Sequence, residues 1–535
     1  MHPPGKMKLE AVYPSCRRAV DSDTWKRIVR ACARNSGPEG LPKTLALQRG
    51  ALGLSGFLPE LARLEWSIHK VTEREADIPQ QVEQLEVNPT VQLLQFAWRH
   101  LPSILNRGRK TSPETPQPGE EYVLVWQDPK TGRAKSKTAS DEDLLVLKIV
   151  VEGIDPKEAA AAGDLPVGAV DAAIHRAVSA GILVAPRSRI RRDPTSFPVS
   201  DNTDESFLSS SVFTLQWHIT QACDLHCKHC YDRSNRSALK FDQGIWILDD
   251  LRTFCKDRHV RGQVSFSGGN PLLYPHFPEL YRAASERGFA VAILGNPASR
   301  GQMEELLEIQ RPVFFQVSLE GLREHNDMIR GPGHFDRTIE FLALLRDLEI
   351  ASKVMLTLTK DNMDQALPLG ELLRDVADYF TFNRLSTVGE GAKLQPPLRD
   401  DFAAFLETYM KASENNQIMG WKDNFINIVC HEKGLEPFGG CTGYGCGAAF
   451  NFMAVLSDGE AHACRKFPSP IGNVFEQSIS DIYDSETAHR YRSGPEACRP
   501  CPIRLVCRGC LAVAYNHGLD IFKERDPYCF ITGTN

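Results

Sequence analysis

Three cysteines within eight residues, in the run QACDLHCKHCYD, set Cys223, Cys227 and Cys230 at a C-x3-C-x2-C spacing. Nine more of the 15 cysteines crowd into the chain after residue 429, several of them in the bunch ACRPCPIRLVCRGC. Thiols gathered this tightly make a chain fold around disulfides or around metal centres. The start, MHPPGKMKLEAVYPSC, lacks the apolar stretch and small-residue cleavage site of a secretory signal, and no apolar run reaches membrane-spanning length. The expected location is the cytoplasm, where thiols stay reduced and serve as ligands. Cys16 and Cys32 have no nearby Cys or His in sequence and read as small buried apolar residues.

With 535 residues, 42% of them hydrophobic, the chain is long enough for several cores. A net charge of −6 gives no global basic field, so nucleic acid and membrane surfaces are not expected partners. Two stretches rich in Pro, Ser and charge, 106–120 and 186–210, read as linkers. Residues 1–105 read as a helical domain of unknown role, with helical spacing in 57–71 and 89–105. Between the linkers, 121–127 and 133–139 flank DPKTG as a hairpin. Helical segments at 141–153, 155–163 and 166–181 and a strand at 182–185 complete a winged-helix pattern over 121–186. Its third helix offers phosphate only Arg176 and a neutral His175, too little for DNA.

From 211 to 400 six β-rich runs (213–219, 263–267, 290–295, 313–319, 353–359 and 378–384) alternate with helical sequence. The expected fold class is α/β, a parallel sheet of six βα repeats closed or partly closed like a TIM barrel, which the resemblance below makes a partial (β/α)6 barrel, with its chemistry on the loops after the strands. The three cysteines stand on the first of those loops. Three thiolates so close can hold three irons of a cubane cluster and leave the fourth open, whereas a closed zinc site would recruit His226 or His229.

This loop resembles that of the radical S-adenosylmethionine (SAM) enzymes, and three later loops agree with the same family. SGGNP (267–271) resembles its Gly-Gly-Glu-Pro stretch, with Asn270 for Glu. LGNPAS (294–299) places Asn296 at the ribose region, and VSLEGLREHNDMIRGPGHF (317–335) puts Glu320 in an Asp position. The resemblance implies a [4Fe-4S] cluster on Cys223, Cys227 and Cys230. It places His229, Gly268, Gly269, Asn270, Asn296, Ser318 and Arg330 at the SAM, which the reduced cluster cleaves to a 5′-deoxyadenosyl radical. At the glycines, a β-carbon would block the approach of main chain to ligand.

The tail, 430–535, resembles the twin-cluster SPASM extension of radical enzymes that modify peptides. By that resemblance one auxiliary cluster takes Cys441, Cys446, Cys464 and Cys510 and the other Cys498, Cys501, Cys507 and Cys529, making three [4Fe-4S] clusters in all. The family commonly has three residues between the last two cysteines of the bunch; here only Arg508 and Gly509 stand there. Cys255 and Cys430 are unassigned. The winged-helix segment resembles the PqqD-like recognition element of enzymes that mature ribosomally made peptides (RiPPs), in which the leader adds to the sheet as a strand. The implied partners are a precursor peptide with a leader and an electron donor such as flavodoxin or ferredoxin. The implied product is a thioether or other side-chain crosslink, and GGNPLL resembles a subgroup acting on thiol- or selenol-containing peptides. Two other readings are an anaerobic sulfatase-maturing (formylglycine-generating) enzyme and a non-catalytic iron–sulfur scaffold. The first needs a carboxylate base after Cys464, where this chain has Arg465.

Overall fold

The computed structural model describes residues 9–35, 37–73, 78–79, 81–105, 115–197 and 204–531. The chain divides into two compact units, Met1–Arg187 and Ser188–Asn535.

In the first unit the helices Ser22–Asn35, Leu41–Leu52 and Leu58–Glu73 bury Trp25, Leu45, Leu61 and Leu64 in one core. The helical reading of 89–105 is corrected. Short β1 (Glu86–Val87) is followed by β2 (Gln92–Arg99), and only Leu101–Leu105 is helical. The run QLLQFAWR fits a period of two as well as 3.6, and the choice is made by a partner beyond the 106–120 stretch. That partner is β3 (Gln117–Gln127), antiparallel to β2 with Leu94 opposite Val123. β4 (Ala134–Thr138) pairs on the other side of β3, so one three-stranded sheet joins the segments read as 1–105 and 121–186. Residues 106–114 of the first linker lie outside the described residues.

The three helices follow as Asp141–Glu152, Pro156–Ala162 and Val167–Ala180. Ser140 and Asp155 cap the first two, their side chains accepting from Asp143 N and Lys157 N. The closing strand, β5 (Leu183–Val184), pairs with β1 and not with the hairpin.

The second unit is built on six parallel strands in sequence order: β6 (Val212–Thr220), β7 (Arg261–Gly268), β8 (Ala290–Leu294), β9 (Phe315–Ser318), β10 (Ser352–Leu358) and β11 (Tyr379–Arg384). β6 does not meet β11. Its free side takes β12 (Phe452–Val455) from the cysteine-rich tail, in parallel, followed by antiparallel β13 (Glu460–His462) and β14 (Pro470–Asn473). The barrel is therefore partial. Along β10, Val354, Leu356 and Leu358 are buried while Lys353, Met355 and Thr357 are half-buried on the opposite face, the alternation of a strand between a packed layer and an accessible one.

The second linker is corrected in part. Arg192 is 2% exposed and donates to the carbonyls of Arg492 (2.7 Å), Tyr444 (2.9 Å) and Cys446 (3.0 Å), so this stretch is anchored on the tail at Arg192. Among the described residues no helix is long and apolar enough to cross a membrane.

Candidate functional site

β6 ends at Thr220, and the loop that follows it carries the three cysteines. The end of β7 clamps this loop: Gly269 N donates to Thr220 O (2.8 Å) and Asn270 N to Ala222 O (2.7 Å). A β-carbon on Gly268, whose φ is +131°, would stand 2.2 Å from Thr220 O, and one on Gly269 would stand 2.2 Å from Ala222 O. The cysteine loop itself thus requires these glycines, beside the ligand approach expected of them. The cysteine loop's own backbone fills the space, before any ligand is considered. Gly269→Ala is expected to push the loop off β7 and to lower the iron content of the protein. Iron analysis of the purified variant checks it, and a full iron complement would contradict it.

Cys223 is exposed, and Cys227 and Cys230 are half-buried. Two sets of donors converge on them. Asn296 Nδ2 lies 3.7 Å from Cys223 Sγ and donates to Asp224 Oδ1 (2.6 Å), which Asn270 Nδ2 also reaches (3.1 Å). Asn270, 4% exposed, accepts from Leu272 N (3.3 Å), so the residue in the Glu position caps the turn Pro271–Leu273. On the other side, Arg330 Nη1 lies 3.7 Å from Cys227 Sγ. Its Nε and Nη2 grip Glu320 Oε1 at 2.9 and 2.6 Å, and Glu320 Oε2 accepts from Thr357 N (2.8 Å). His229 Nε2 is 3.4 Å from both Arg330 Nη2 and Glu320 Oε1.

Burial pushes the Glu320 carboxyl up, but His229, Arg330 and the Thr357 amide together outweigh it and hold the group below the usual carboxylate range. Burial holds the His229 imidazole down. Ser318 stands half-buried at the end of β9, beside Met355 of β10. The residues expected at the cofactor thus gather in two groups flanking the cysteines: Gly268, Gly269, Asn270 and Asn296 near Cys223, and His229 and Arg330 near Cys227. Asp224, inside the motif itself, was not singled out in the sequence although two amides converge on it.

The tail forms two further groups. Cys441, Cys446, Cys464 and Cys510 lie within electrostatic reach of one another, as do Cys498, Cys501, Cys507 and Cys529. Cys507 and Cys510 join different groups because Arg508 (φ 70°) and Gly509 (φ 64°) both turn left-handed between them. The Arg508 guanidinium repays its strained backbone by donating to the carbonyls of Tyr444 and Cys446, each at 2.6 Å. The shortened spacing is thereby accommodated. Cys430, in the helix Ile426–Glu432, and Cys255, beneath Gly262, are buried outside these groups.

The residues fit iron–sulfur clusters. Burial pushes the Cys464 thiol up to about 12 and the Cys498 thiol up to about 11, with neighbouring cysteines adding to both. Bound to a cluster as thiolates, they would share their charge with its cationic core. Among the described residues no three His, Cys, Asp or Glu side chains close on the position of a single ion. Arg330 and the Asn296 amide supply donors to sulfur at the open triad, where a cofactor would complete the site.

Residues 217–373 match the Radical SAM superfamily and residues 446–502 match SPASM, an iron–sulfur cluster-binding domain. The AdoMet-dependent heme synthase of Methanosarcina barkeri is 26% identical over 343 residues, 59% of this chain and 95% of that protein. The antilisterial bacteriocin subtilosin biosynthesis protein AlbA of Bacillus subtilis is 24% identical over 327 residues, 57% and 70% of the two chains. The mycofactocin maturase MftC of Mycolicibacterium smegmatis is 27% identical over 334 residues, 59% and 82%. Streptococcus suis SuiB bound to S-adenosylmethionine shares the fold at a TM-score of 0.50 and 20% identity, over 76% of this chain and 96% of that one.

Proposed function

As a radical SAM enzyme with a SPASM domain, whose cofactors are S-adenosylmethionine, a [4Fe-4S] cluster and auxiliary iron–sulfur clusters, this chain is, we propose, a maturase of ribosomally made peptides. It acts on a precursor's core to install a thioether or another side-chain crosslink. The observation that carries this reading is the pairing of an open cysteine triad in the barrel with a hairpin and three-helix element in the first unit, a part of the chain that neither family match reaches. Two of the relatives, AlbA and MftC, are by name a bacteriocin biosynthesis protein and a maturase.

When bound, the cofactor and cluster supply a carbon radical that removes a substrate hydrogen. The chain's own residues hold and shield that chemistry. Cys223, Cys227 and Cys230 carry the cluster, Gly268, Gly269, Asn270 and Asn296 shape the amino-acid and ribose end of the site, and His229, Ser318 and Arg330 line the other. Cys441, Cys446, Cys464 and Cys510 hold one auxiliary cluster, and Cys498, Cys501, Cys507 and Cys529 the other. The element at 121–186 takes the leader as an added strand at a free edge of its sheet. Residues 211–400 are the radical domain and 430–535 the auxiliary one. A flavodoxin or ferredoxin delivers the electron, in the cytoplasm. Arg465, in the place of a carboxylate base, speaks against the formylglycine reaction, because a guanidinium cannot accept the proton.

Because β2 pairs with β3 and β1 with β5, a cut at residue 121 would split a sheet. The test is therefore a protein beginning at Ser188. It is expected to form 5′-deoxyadenosine with dithionite and S-adenosylmethionine while losing affinity for the leader. Leader binding equal to that of the full chain would refute the assignment.

A further inference from the structure

Arg465 follows Cys464 in the first auxiliary group, yet its side chain enters the barrel and is only 8% exposed with the rest of the residue. Its Nε lies 3.0 Å from His218 Nδ1 near the end of β6, and its Nη2 pairs with the Asp232 carboxylate. The guanidinium carbon stands 4.5 Å above the Tyr231 ring. Tyr231 and Asp232 are the two residues after Cys230. A single cation therefore spans the space between one residue of the auxiliary quartet and the loop of the open triad.

The surroundings make this a constructed position. Asp232 also accepts from Gln221 Nε2 (3.1 Å) and Ser234 N (2.9 Å), and Arg236 Nε approaches it at 3.7 Å. Arg236 is held in turn by Asp458 (2.7 Å) and Glu460 (2.6 Å) of the β12–β13 hairpin. His218, buried and facing Arg465, is kept neutral and accepts. Burying an ion pair costs desolvation that an apolar side chain of the same volume would avoid, so packing alone does not explain a guanidinium here.

We propose that Arg465 is a positioning residue that locks the triad loop to the auxiliary domain and acts as a fixed counter-cation shared by the first auxiliary cluster and the SAM-binding cluster. This rests on the reading of the two cysteine groups as cluster ligands. A fixed positive charge in a dry interior favours adding an electron to either neighbour. Arg465→Gln removes the charge and keeps one amide donor on a shorter side chain. Arg465→Lys keeps the charge but lacks the planar fork that reaches both partners.

The experiment is a redox titration followed by electron paramagnetic resonance on the full chain with its clusters reconstituted, the SAM-binding cluster being recognised by its spectral change on adding S-adenosylmethionine. Arg465→Gln is expected to move both neighbouring midpoints negative by about tenfold in the reduction equilibrium, about 59 mV for one electron, and to leave the second auxiliary cluster in place. Arg465→Lys is expected to recover most of that shift. Asp232→Asn, which strips the cation of its counter-charge, is expected to move the same midpoints positive. Unchanged midpoints in Arg465→Gln at full iron content would overturn the proposal, and so would an unmoved Asp232→Asn protein if Arg465→Gln fails to hold iron. Iron analysis of the unaltered protein separates the two claims, since a shortfall there counts against the ligand assignment and not against Arg465.

Discussion

Replacing Cys223, Cys227 and Cys230 together by Ala is expected to abolish S-adenosylmethionine cleavage and to lower iron from about 12 to about 8 atoms per chain. The size of the effect follows from where the triad sits. All three thiols belong to one loop, with Asn296 and Arg330 as the donors at their sulfurs. The tail groups have supports of their own: Arg508 braces Cys446 through its carbonyl, and Asp526 receives the Cys510 amide at 2.9 Å. Losing one site should leave the other two filled. Iron analysis with a dithionite assay for 5′-deoxyadenosine checks both parts, and residual cleavage in the triple variant would be incompatible with the triad as the cluster site.

Asp526→Ala is expected to cost about 3–5 kcal/mol and to strip iron from the tail. Asp526 is 3% exposed and its two oxygens serve four donors. Arg384, at the end of β11, reaches them at 3.1 and 2.8 Å, and the Cys510 and Tyr528 amides at 2.9 and 3.0 Å. Its backbone carbonyl also accepts from Cys529 N (2.9 Å). Truncating the side chain leaves a buried guanidinium with Asp423 as its remaining carboxylate, at 2.8 Å, and frees the segment carrying Cys510 and Cys529, one cysteine from each auxiliary group. Thermal unfolding and iron analysis read the two effects. Asp526→Asn, which keeps acceptors without the charge, should fall between the variant and the unaltered protein, and an Ala variant as stable as the parent would contradict the role.

What the sequence disclosed was local. The C-x3-C-x2-C loop, the glycine pair after β7 and the repeated strand and helix runs each lie within a few residues, so spacing alone exposes them. The partners that fix the site are remote. Arg384 meets Asp526 across 142 residues, Arg465 meets His218 across 247, and Arg192 meets the Cys446 carbonyl across 254. No periodicity encodes such pairs. The strand at Gln92–Arg99 was misread for the same reason, since its apolar pattern suits helix and strand alike and its pairing partner lies beyond a Pro-rich stretch. That Gly268 and Gly269 also press against the loop Thr220–Ala222 was not legible, because the loop becomes their neighbour only on folding. The crowding of cysteines in the tail was legible, but the left-handed turn between Cys507 and Cys510 needed the backbone of Arg508 and Gly509.

The central claim is that this radical chemistry is directed at a peptide. Its most direct test is to seek a short cysteine-containing reading frame beside this chain's gene and to measure the mass of the peptide it encodes after anaerobic incubation with the reconstituted full chain, S-adenosylmethionine and dithionite. The account predicts a peptide lighter by two hydrogen atoms per crosslink, with one 5′-deoxyadenosine formed for each. Formation of 5′-deoxyadenosine with the peptide mass unchanged would contradict it.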